Sequence, residues 1–186
     1  LKDRSKEKGQ TYICAPLQQS QHHHNPEKYS GIKTWRLRAN VVNRKFFALD
    51  LDGFNSPETF VKLLKLLEKY RGFAYTTASH TPESPRARVI IELSRNINRD
   101  EGETLGAIVQ ERIEIPFEKG AIQFDPSVYR GEQPIYTPLE SSTTFQFLGE
   151  PLDVDSYLQI QDLHSSNSLL SDGVQAKFTP PQLVKD

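Results

Sequence analysis

FFALDLDG, at residues 46–53, is the stretch from which the rest of the chain is interpreted. Phe46 to Leu51 is an apolar run interrupted only by Asp50, as expected for a strand covered on both faces. Asp50 and Asp52 are two positions apart, so both side chains project from one face of the strand. Paired carboxylates there repel each other and lose hydration, and a shared divalent cation relieves both effects. The stretch predicts a central strand carrying a metal-binding pair of aspartates; the alternative is an exposed strand end with two ordinary acids.

A helix is predicted directly after this strand. Ser56 fits the N-cap, Pro57 fits the first helical position, and Glu58 adds an acid to the first turn. Apolar residues then recur at helical spacing, and Gly72 is expected to stop the run: Phe60, Leu63, Leu64, Leu67 and Tyr70.

The remaining pattern alternates strands with one more helix. That second helix is expected to begin at Asp100, which forms a capping-box-like pair with Glu103. Short strands are predicted near both ends of the core, within TYICAPL at residues 11–17 and at the proline-bounded edge segment Pro134–Pro138. The other predicted strands are Ile32–Val42, either continuous or broken in the middle, Phe73–Thr77, Arg88–Leu93 and Ala121–Phe124. This order predicts an α+β fold, with a central mixed or antiparallel sheet and helices packed on it.

Composition sets limits on the class of protein. The chain has 186 residues, and 23 Lys and Arg against 24 Asp and Glu give a formal net charge of −1. One domain is expected, and a strongly basic nucleic-acid-coating protein is excluded. The single cysteine, Cys14, excludes a disulfide scaffold and a Cys-rich zinc site. No apolar run approaches the length of a membrane span, so we expect a soluble, cytoplasmic protein without a membrane partner.

Polar segments at both ends define the expected domain organisation. Residues 1–30 are interpreted as a polar N-terminal segment with a short strand, 31–160 as the catalytic domain, and 161–186 as a linker. The chain begins at Leu1 and contains no methionine, so we expect a piece of a longer protein.

Further candidate groups follow the predicted strands. Asp125 ends one of them and would complete a three-carboxylate set beside Asp50 and Asp52 if the strands were neighbours, although an Asp-Pro pair is also a common turn initiator. Ser79 and His80 come after another strand and can bind phosphate oxygens, although a lone histidine is often structural.

Basic residues provide other candidates. Arg86 and Arg88 have the same strand parity, and their guanidinium groups can meet the same anion or form surface ion pairs. A basic cluster around Trp35 can contact a nucleic-acid backbone or form a solvated face: Lys33, Arg36, Arg38, Arg44 and Lys45. His22, His23 and His24 are consecutive in a polar segment, so a metal site is not expected there.

Three strings in this order carry a family resemblance: FALDLDG, TTASHTPESPRARVIIELSR and QFDPSVYRGEQPIYTP. Together they resemble the catalytic core of the archaeo-eukaryotic primase superfamily, in particular the primase-polymerase domains fused to helicases in replication proteins of phages, plasmids and mobile elements. The resemblance covers about residues 30 to 140, and Gly149–Leu158 resembles the segment that closes such domains. Ser79 and His80 are adjacent, whereas the family's second motif separates the serine and histidine by one residue.

The resemblance implies an RRM-like primase-polymerase core that performs template-directed nucleotidyl transfer. Asp50, Asp52 and Asp125 would hold two Mg²⁺ or Mn²⁺ ions. Ser79, His80 and Arg88 would bind the phosphates of a nucleoside triphosphate. The implied partners are a single-stranded DNA template, nucleoside triphosphates and a helicase domain in the full-length protein. The preference for ribo- or deoxynucleotides stays open, with Tyr75 as a candidate sugar-sensing residue.

Two alternatives come from other classes. FALDLDG also resembles the first motif of haloacid-dehalogenase-like phosphatases, in which Asp50 would be the nucleophile, Asp52 the general acid and Thr76 or Thr77 the strand-end hydroxyl. A long segment precedes that motif here, and Lys119 with Asp153 and Asp155 is a poor substitute for the later motifs of that family. The other alternative is a catalytically silent nucleic-acid-binding module that uses the basic cluster around Trp35.

Overall fold

An antiparallel five-stranded sheet forms the centre of the molecule. The computed structural model describes residues 10–20, 25, 27–28 and 31–159. The strands in chain order are β1 (Thr11–Tyr12), β2 (Arg44–Phe54), β3 (Arg71–Thr76), β4 (Ala87–Ile97), β5 (Ile122–Asp125), β6 (Ile135–Tyr136) and β7 (Thr144–Leu148). The large sheet has the order β5-β2-β4-β3-β7, and β1 pairs with β6 in a separate two-stranded sheet. All these pairings are antiparallel, which confirms the α+β prediction.

Two helices follow β2 and β4: α1 (Pro57–Leu67) and α2 (Arg99–Glu114). Ser56 caps α1 as predicted, since its hydroxyl accepts a hydrogen bond from the backbone N–H of Thr59 at 3.3 Å. The apolar side of α1 is buried in the same core cluster as one face of the sheet, through Phe60, Leu63 and Leu67. Among the helices that the structure describes, none is long and apolar enough to cross a membrane.

The end of α1 differs from the prediction. The helix ends at Leu67, and Tyr70 lies beyond it. Gly72 is inside β3, not at a helix end. A Cβ at this position would collide with the carbonyl oxygen of Ile90 on β4, so the glycine permits close strand packing. Glycine is common both at helix ends and where two strands pack closely. The sequence pattern alone therefore could not tell which of these two roles Gly72 has.

The start of α2 also differs by two residues. Asn98 is the N-cap, and its side chain accepts bonds from the N–H groups of Asp100 and Glu101. Glu101 accepts a bond from the N–H of Asn98, which completes a capping box in place of the expected Asp100–Glu103 pair. Gly102 and Gly106, although poor helix formers, allow Arg44 and Tyr129 to pack directly against the helix backbone.

The predicted strand over Ile32–Val42 is wrong. This segment contains isolated bridges at Lys33 and Val41 and a short 3₁₀ turn at Arg38–Asn40. Its apolar ends, Ile32 and Val42, are 60% and 39% exposed, so they have no common buried face to hold a strand.

The termini are only partly described. β1 lies in the predicted polar N-terminal segment, and residues 154–159 form a helical stretch at the C-terminal end of the described chain. His22, His23, His24 and the predicted linker at 161–186 lie outside the described residues.

Candidate functional site

Four polar residues form one row across the sheet. In the strand register, Asp50 on β2 is opposite Asp125 on β5 on one side and opposite Arg88 on β4 on the other. Arg88 is in turn opposite Tyr75 on β3. Residues that are directly opposite in neighbouring strands have side chains on the same face. The strand that ends in Asp125 is therefore the neighbour of the strand that carries Asp50, as the three-carboxylate prediction required.

An ion pair between Asp50 and Arg88 is the centre of this row. The Nε and NH2 atoms of Arg88 each lie 3.0 Å from Oδ2 of Asp50. Only 17% of the Arg88 side chain and 10% of the Asp50 side chain are exposed. Such a pair is fixed by geometry, and removing one partner leaves a poorly solvated charge. The other carboxylate oxygen of Asp50, Oδ1, is buried and has no hydrogen-bond partner among the described residues.

The electrostatic environment raises the pKa of Asp50 above its ordinary value. Burial is the main cause, because it disfavours the charged carboxylate. Arg88 acts in the opposite direction, while the charges of Asp52 and Asp125 add to the increase. Asp52 and Asp125 are thus both near enough to act on Asp50, and the cation that offsets their repulsion of its charge is the Arg88 guanidinium.

Asp52 occupies a local irregularity of the sheet. Leu51 and Gly53 of β2 are opposite the consecutive residues Phe124 and Gln123 of β5, so Asp52 is the extra residue of a β-bulge. Its side chain is exposed and lines a small cleft next to Arg88. The prediction that Asp50 and Asp52 lie on one face assumed that side chains alternate strictly between the two faces of the strand. The bulge interrupts this alternation at Asp52. The proximity of the two carboxylates nevertheless persists.

Asp125 has both of its carboxylate oxygens engaged. Oδ1 accepts a bond from the N–H of Ser127 at 2.9 Å, and Oδ2 accepts one from the Ser127 hydroxyl at 2.8 Å. These bonds cap the 3₁₀ turn Pro126–Tyr129. The turn-initiating role of the Asp-Pro pair is therefore present, next to Asp50 on the neighbouring strand.

The fit of this row to a divalent cation is incomplete. Carboxylate oxygens are the ligands that Mg²⁺ and Mn²⁺ prefer. Oδ1 of Asp50, which has no hydrogen-bond partner among the described residues, is available as a metal ligand. However, within the described part of the chain no group of three or more His, Cys, Asp or Glu side chains is arranged to hold a metal ion. Arg88 binds one oxygen of Asp50, and Ser127 donates to both oxygens of Asp125.

The cleft beside Asp52 has a cavity volume of about 80 Å³. Two arginines and five hydroxyl-bearing residues contribute to its lining: Arg86, Arg88, Tyr75, Thr77, Ser79, Tyr136 and Thr137. Pockets for drug-sized ligands begin at about 300 Å³, so this cleft suits a phosphate-sized group. The predicted residues Ser79 and Arg88 therefore share one cleft with Asp52.

His80 has a structural role in this arrangement. Its ring atom Nδ1 accepts a hydrogen bond from the backbone N–H of Arg86 at 3.1 Å. The backbone N–H of His80 donates to the backbone carbonyl of Thr77. These bonds hold the loop between β3 and β4 closed, so His80 positions Arg86 and Ser79. It does not belong to the residues that line the cleft.

Three tyrosines, Tyr12, Tyr75 and Tyr136, form a cluster next to the row. The sequence pattern did not single out Tyr12 and Tyr136, which belong to the two-stranded sheet. The Tyr75 hydroxyl donates to the carbonyl oxygen of Tyr136 at 2.6 Å, and Tyr12 lies within hydrogen-bonding distance of Tyr75 at 3.1 Å. NH1 of Arg88 also donates to the Tyr136 carbonyl, at 3.3 Å. Tyr12 and Tyr136 belong to β1 and β6, which lie within the short strands predicted at residues 11–17 and at Pro134–Pro138. The sequence carried no signal that these two strands pair next to Tyr75.

The basic cluster around Trp35 is divided among different environments. Lys33 lies over the Trp35 ring, with its Nζ 5.3 Å from the ring centroid. Arg38 pairs with Glu103 at 2.8 Å, and Arg44 is only 2% exposed. The predicted patch is therefore not a single exposed surface.

Comparison with protein families matches residues 31–166 to the family described as the VapE N-terminal domain. This match covers most of the chain and associates it with replication proteins of mobile elements. No curated protein and no solved structure matches the chain.

Proposed function

Because this chain belongs to the VapE N-terminal domain family, we propose that it performs template-directed nucleotidyl transfer during replication of a mobile element. The observation that supports this proposal most directly is the register between β2 and β5. It pairs Asp50 with Asp125, and Asp52 lies two residues further along β2. Three carboxylates from two adjacent strands are the donor set that two-metal nucleotidyl transfer uses.

Asp50, Asp52 and Asp125 would hold Mg²⁺ or Mn²⁺ in this proposal. The bound metal would lower the pKa of the attacking 3′-hydroxyl and neutralise charge on the triphosphate. Asp50 offers the oxygen that has no partner, and Asp52 offers an exposed carboxylate. Each oxygen of Asp125 accepts one bond from Ser127 and keeps a further lone pair, so Asp125 would bind the metal from the capped turn after β5.

Arg86 and Arg88 are the proposed phosphate-binding groups. Both line the cleft beside Asp52, and guanidinium groups bind phosphate oxygens through paired N–H donors. Ser79 adds a hydroxyl to the same cleft. His80 supports them by fixing the backbone at Arg86. The cleft suits phosphate groups in size, so the sugar and base of a bound nucleotide would lie outside it.

The phosphatase alternative has less support. Its nucleophile would be Asp50, which must reach a phosphorus atom in the substrate. Asp50 is 7% exposed, and one of its oxygens is bound by Arg88. The more accessible carboxylate of the pair is Asp52.

Primer extension tests the proposed function. A labelled primer on a single-stranded template is incubated with Mg²⁺ or Mn²⁺ and either nucleotide set, using wild type and the Asp125→Asn and Asp50→Asn variants. We expect extension by wild type and a loss of at least about 100-fold in each variant, because metal ligands stabilise developing charge by several kcal/mol.

Glu111→Gln is the matched control, since it removes an exposed carboxylate from α2 outside the row. Binding of Mn²⁺, followed by electron paramagnetic resonance, gives a second readout and should weaken only in the two aspartate variants. Wild-type extension in Asp125→Asn would contradict the assignment. Phosphate release from a generic phosphomonoester without any primer extension would favour the phosphatase instead.

A further inference from the structure

A second, larger groove lies on the same side of the sheet as the carboxylate row. Its floor is formed by Phe46, Phe73 and Ile90, its wall by residues 12–16, and its cavity volume is about 720 Å³. We call it the aromatic groove. The hydroxyl contact between Tyr12 and Tyr75 separates it from the small cleft beside Asp52.

Strand register gives the distance between the aromatic groove and the carboxylate row. Ile90 is opposite both Ala48 and Phe73, so these residues form the next row on the face that carries Asp50 and Arg88. Phe46 is one row further along β2. At about 3.3 Å per residue, Phe73 is about 7 Å and Phe46 about 13 Å from the carboxylate row along the strands.

The aromatic rings on the groove floor are accessible. Phe46 is 48% exposed and Phe73 is 39% exposed, although both lie on the central sheet. Exposed aromatic rings on a sheet face provide stacking platforms for unpaired bases, because every base has a π-face.

The charge of the aromatic groove complements a phosphodiester backbone. Among the described residues, its lining includes the cations Lys45 and Arg44 and no carboxylate. The Lys45 side chain is 46% exposed, and its Nζ lies 4.0 Å from Oε1 of Glu92, at the limit of an ion pair. Arg44 is buried against the carbonyl of Tyr129, so its charge adds to the local potential without reaching solvent. The amides of Asn43 and Asn96 complete a polar rim.

We propose that the aromatic groove binds single-stranded DNA, with unpaired bases stacked on Phe46 and Phe73 and a phosphate next to Lys45. The identity of the strand as template DNA rests on the proposed function, whereas binding itself needs neither metal nor catalysis. Duplex DNA is a poor occupant because its base faces are already stacked inside the helix.

Fluorescence anisotropy of a labelled oligothymidine in EDTA tests this proposal. We expect Phe46→Ala and Phe73→Ala each to weaken binding about 5- to 100-fold, as expected for the loss of one base–aromatic stack. Phe46→Leu should lose as much, whereas Phe46→Trp should retain binding, which separates stacking from general hydrophobic contact. Lys45→Ala should reduce the slope of log affinity against log salt by about 0.7.

Ile115→Ala and Lys65→Ala are the matched controls, because Ile115 is 76% exposed and Lys65 is an exposed residue of α1, and neither lines the aromatic groove. Thermal melts of every variant confirm folding.

Asp125→Asn should bind the oligonucleotide as wild type does, so failed nucleotidyl transfer and failed DNA binding are distinguishable. Unchanged affinity in both phenylalanine variants overturns the proposal. So does a concentration-dependent dimer that is lost in Phe46→Ala and excludes DNA.

Discussion

The two faces of the central sheet are built from the same strands but are occupied differently. On one face, Phe47, Leu49 and Leu51 of β2 are at most 1% exposed and belong to the core cluster with the buried sides of α1 and α2. The other face carries the Asp50–Arg88 pair and, further along, the half-exposed ring of Phe46. β2 therefore alternates between residues that fill the core and residues that are available for chemistry.

Successive residues of a strand point to opposite faces of the sheet. The residues that stabilise the core and the residues of the candidate site therefore alternate along β2. The covered face contributes apolar burial, whose free energy does not depend on the protonation of a side chain. The other face contains a partly buried ion pair whose net contribution depends on protonation and on its partner. Substitutions one residue apart in β2 or β4 should consequently have unlike consequences, and three measurements examine this.

The largest effect is expected on the covered face. Leu49→Ala should lower the free energy of unfolding by about 3 kcal/mol, because it leaves a cavity in a packed core. Urea denaturation measures this. Val61→Ala on α1 is the control, since Val61 is 56% exposed and should change stability by no more than about 0.5 kcal/mol. Equal effects of the two substitutions would remove the distinction between the faces.

A smaller loss is expected for Arg88→Ala, about 2 kcal/mol at neutral pH. The change leaves Asp50 poorly solvated without its cation, but the remaining exposure of the site and protonation of Asp50 limit the cost. The loss should increase with pH, because Asp50 must then carry its charge alone. Urea denaturation at several pH values checks this, and a pH-independent loss would indicate that Arg88 contributes through packing only.

The smallest effect concerns Asp50→Asn and appears as a pH dependence. The pKa of Asp50 is raised above 3.8 by burial, so the folded state binds its proton more tightly than the unfolded state does. Wild-type stability should therefore fall as pH increases from about 4 through the raised pKa of the folded state, and this contribution should disappear in Asp50→Asn. Asp155→Asn serves as the comparison, since Asp155 is 61% exposed. An identical pH profile for wild type and Asp50→Asn would show that Asp50 does not titrate differently on folding.

Local signals predicted many of the elements. The apolar runs and the Ser56-Pro57-Glu58 start identified β2 and α1, because strand and helix periodicity and capping depend on neighbours in sequence. Predictions from these local signals were wrong where the conformation of a residue depends on contacts with residues distant in sequence. Gly72 makes room for the backbone of β4, and the apolar residues Ile32 and Val42 find no buried surface.

The candidate site shows the same limit. The sequence singled out the candidate residues but not which of them meet across strands: Asp50, Asp52, Asp125, Ser79, His80 and Arg88. Of these, His80 does not line the cleft beside Asp52 but accepts a hydrogen bond from the backbone of Arg86. The expectation that a cation must offset the paired aspartates did not identify the Arg88 guanidinium as the group that does so here. The short strands that carry Tyr12 and Tyr136 were predicted, but their role at the site was not, because it depends on the pairing of these two strands beside Tyr75.

The sequence by itself determined the α+β class, most of the strands and helices, and the chemical types of the candidate residues, since these follow from periodicity, capping and composition. Only the tertiary structure decided that Asp125 is opposite Asp50, that Asp52 occupies a bulge and that Arg88 pairs with Asp50. It alone also joined Phe46 and Phe73 in one groove. The physical reason is that strand order and register arise from burial of the whole sheet, and burial is a property of residues far apart in the chain.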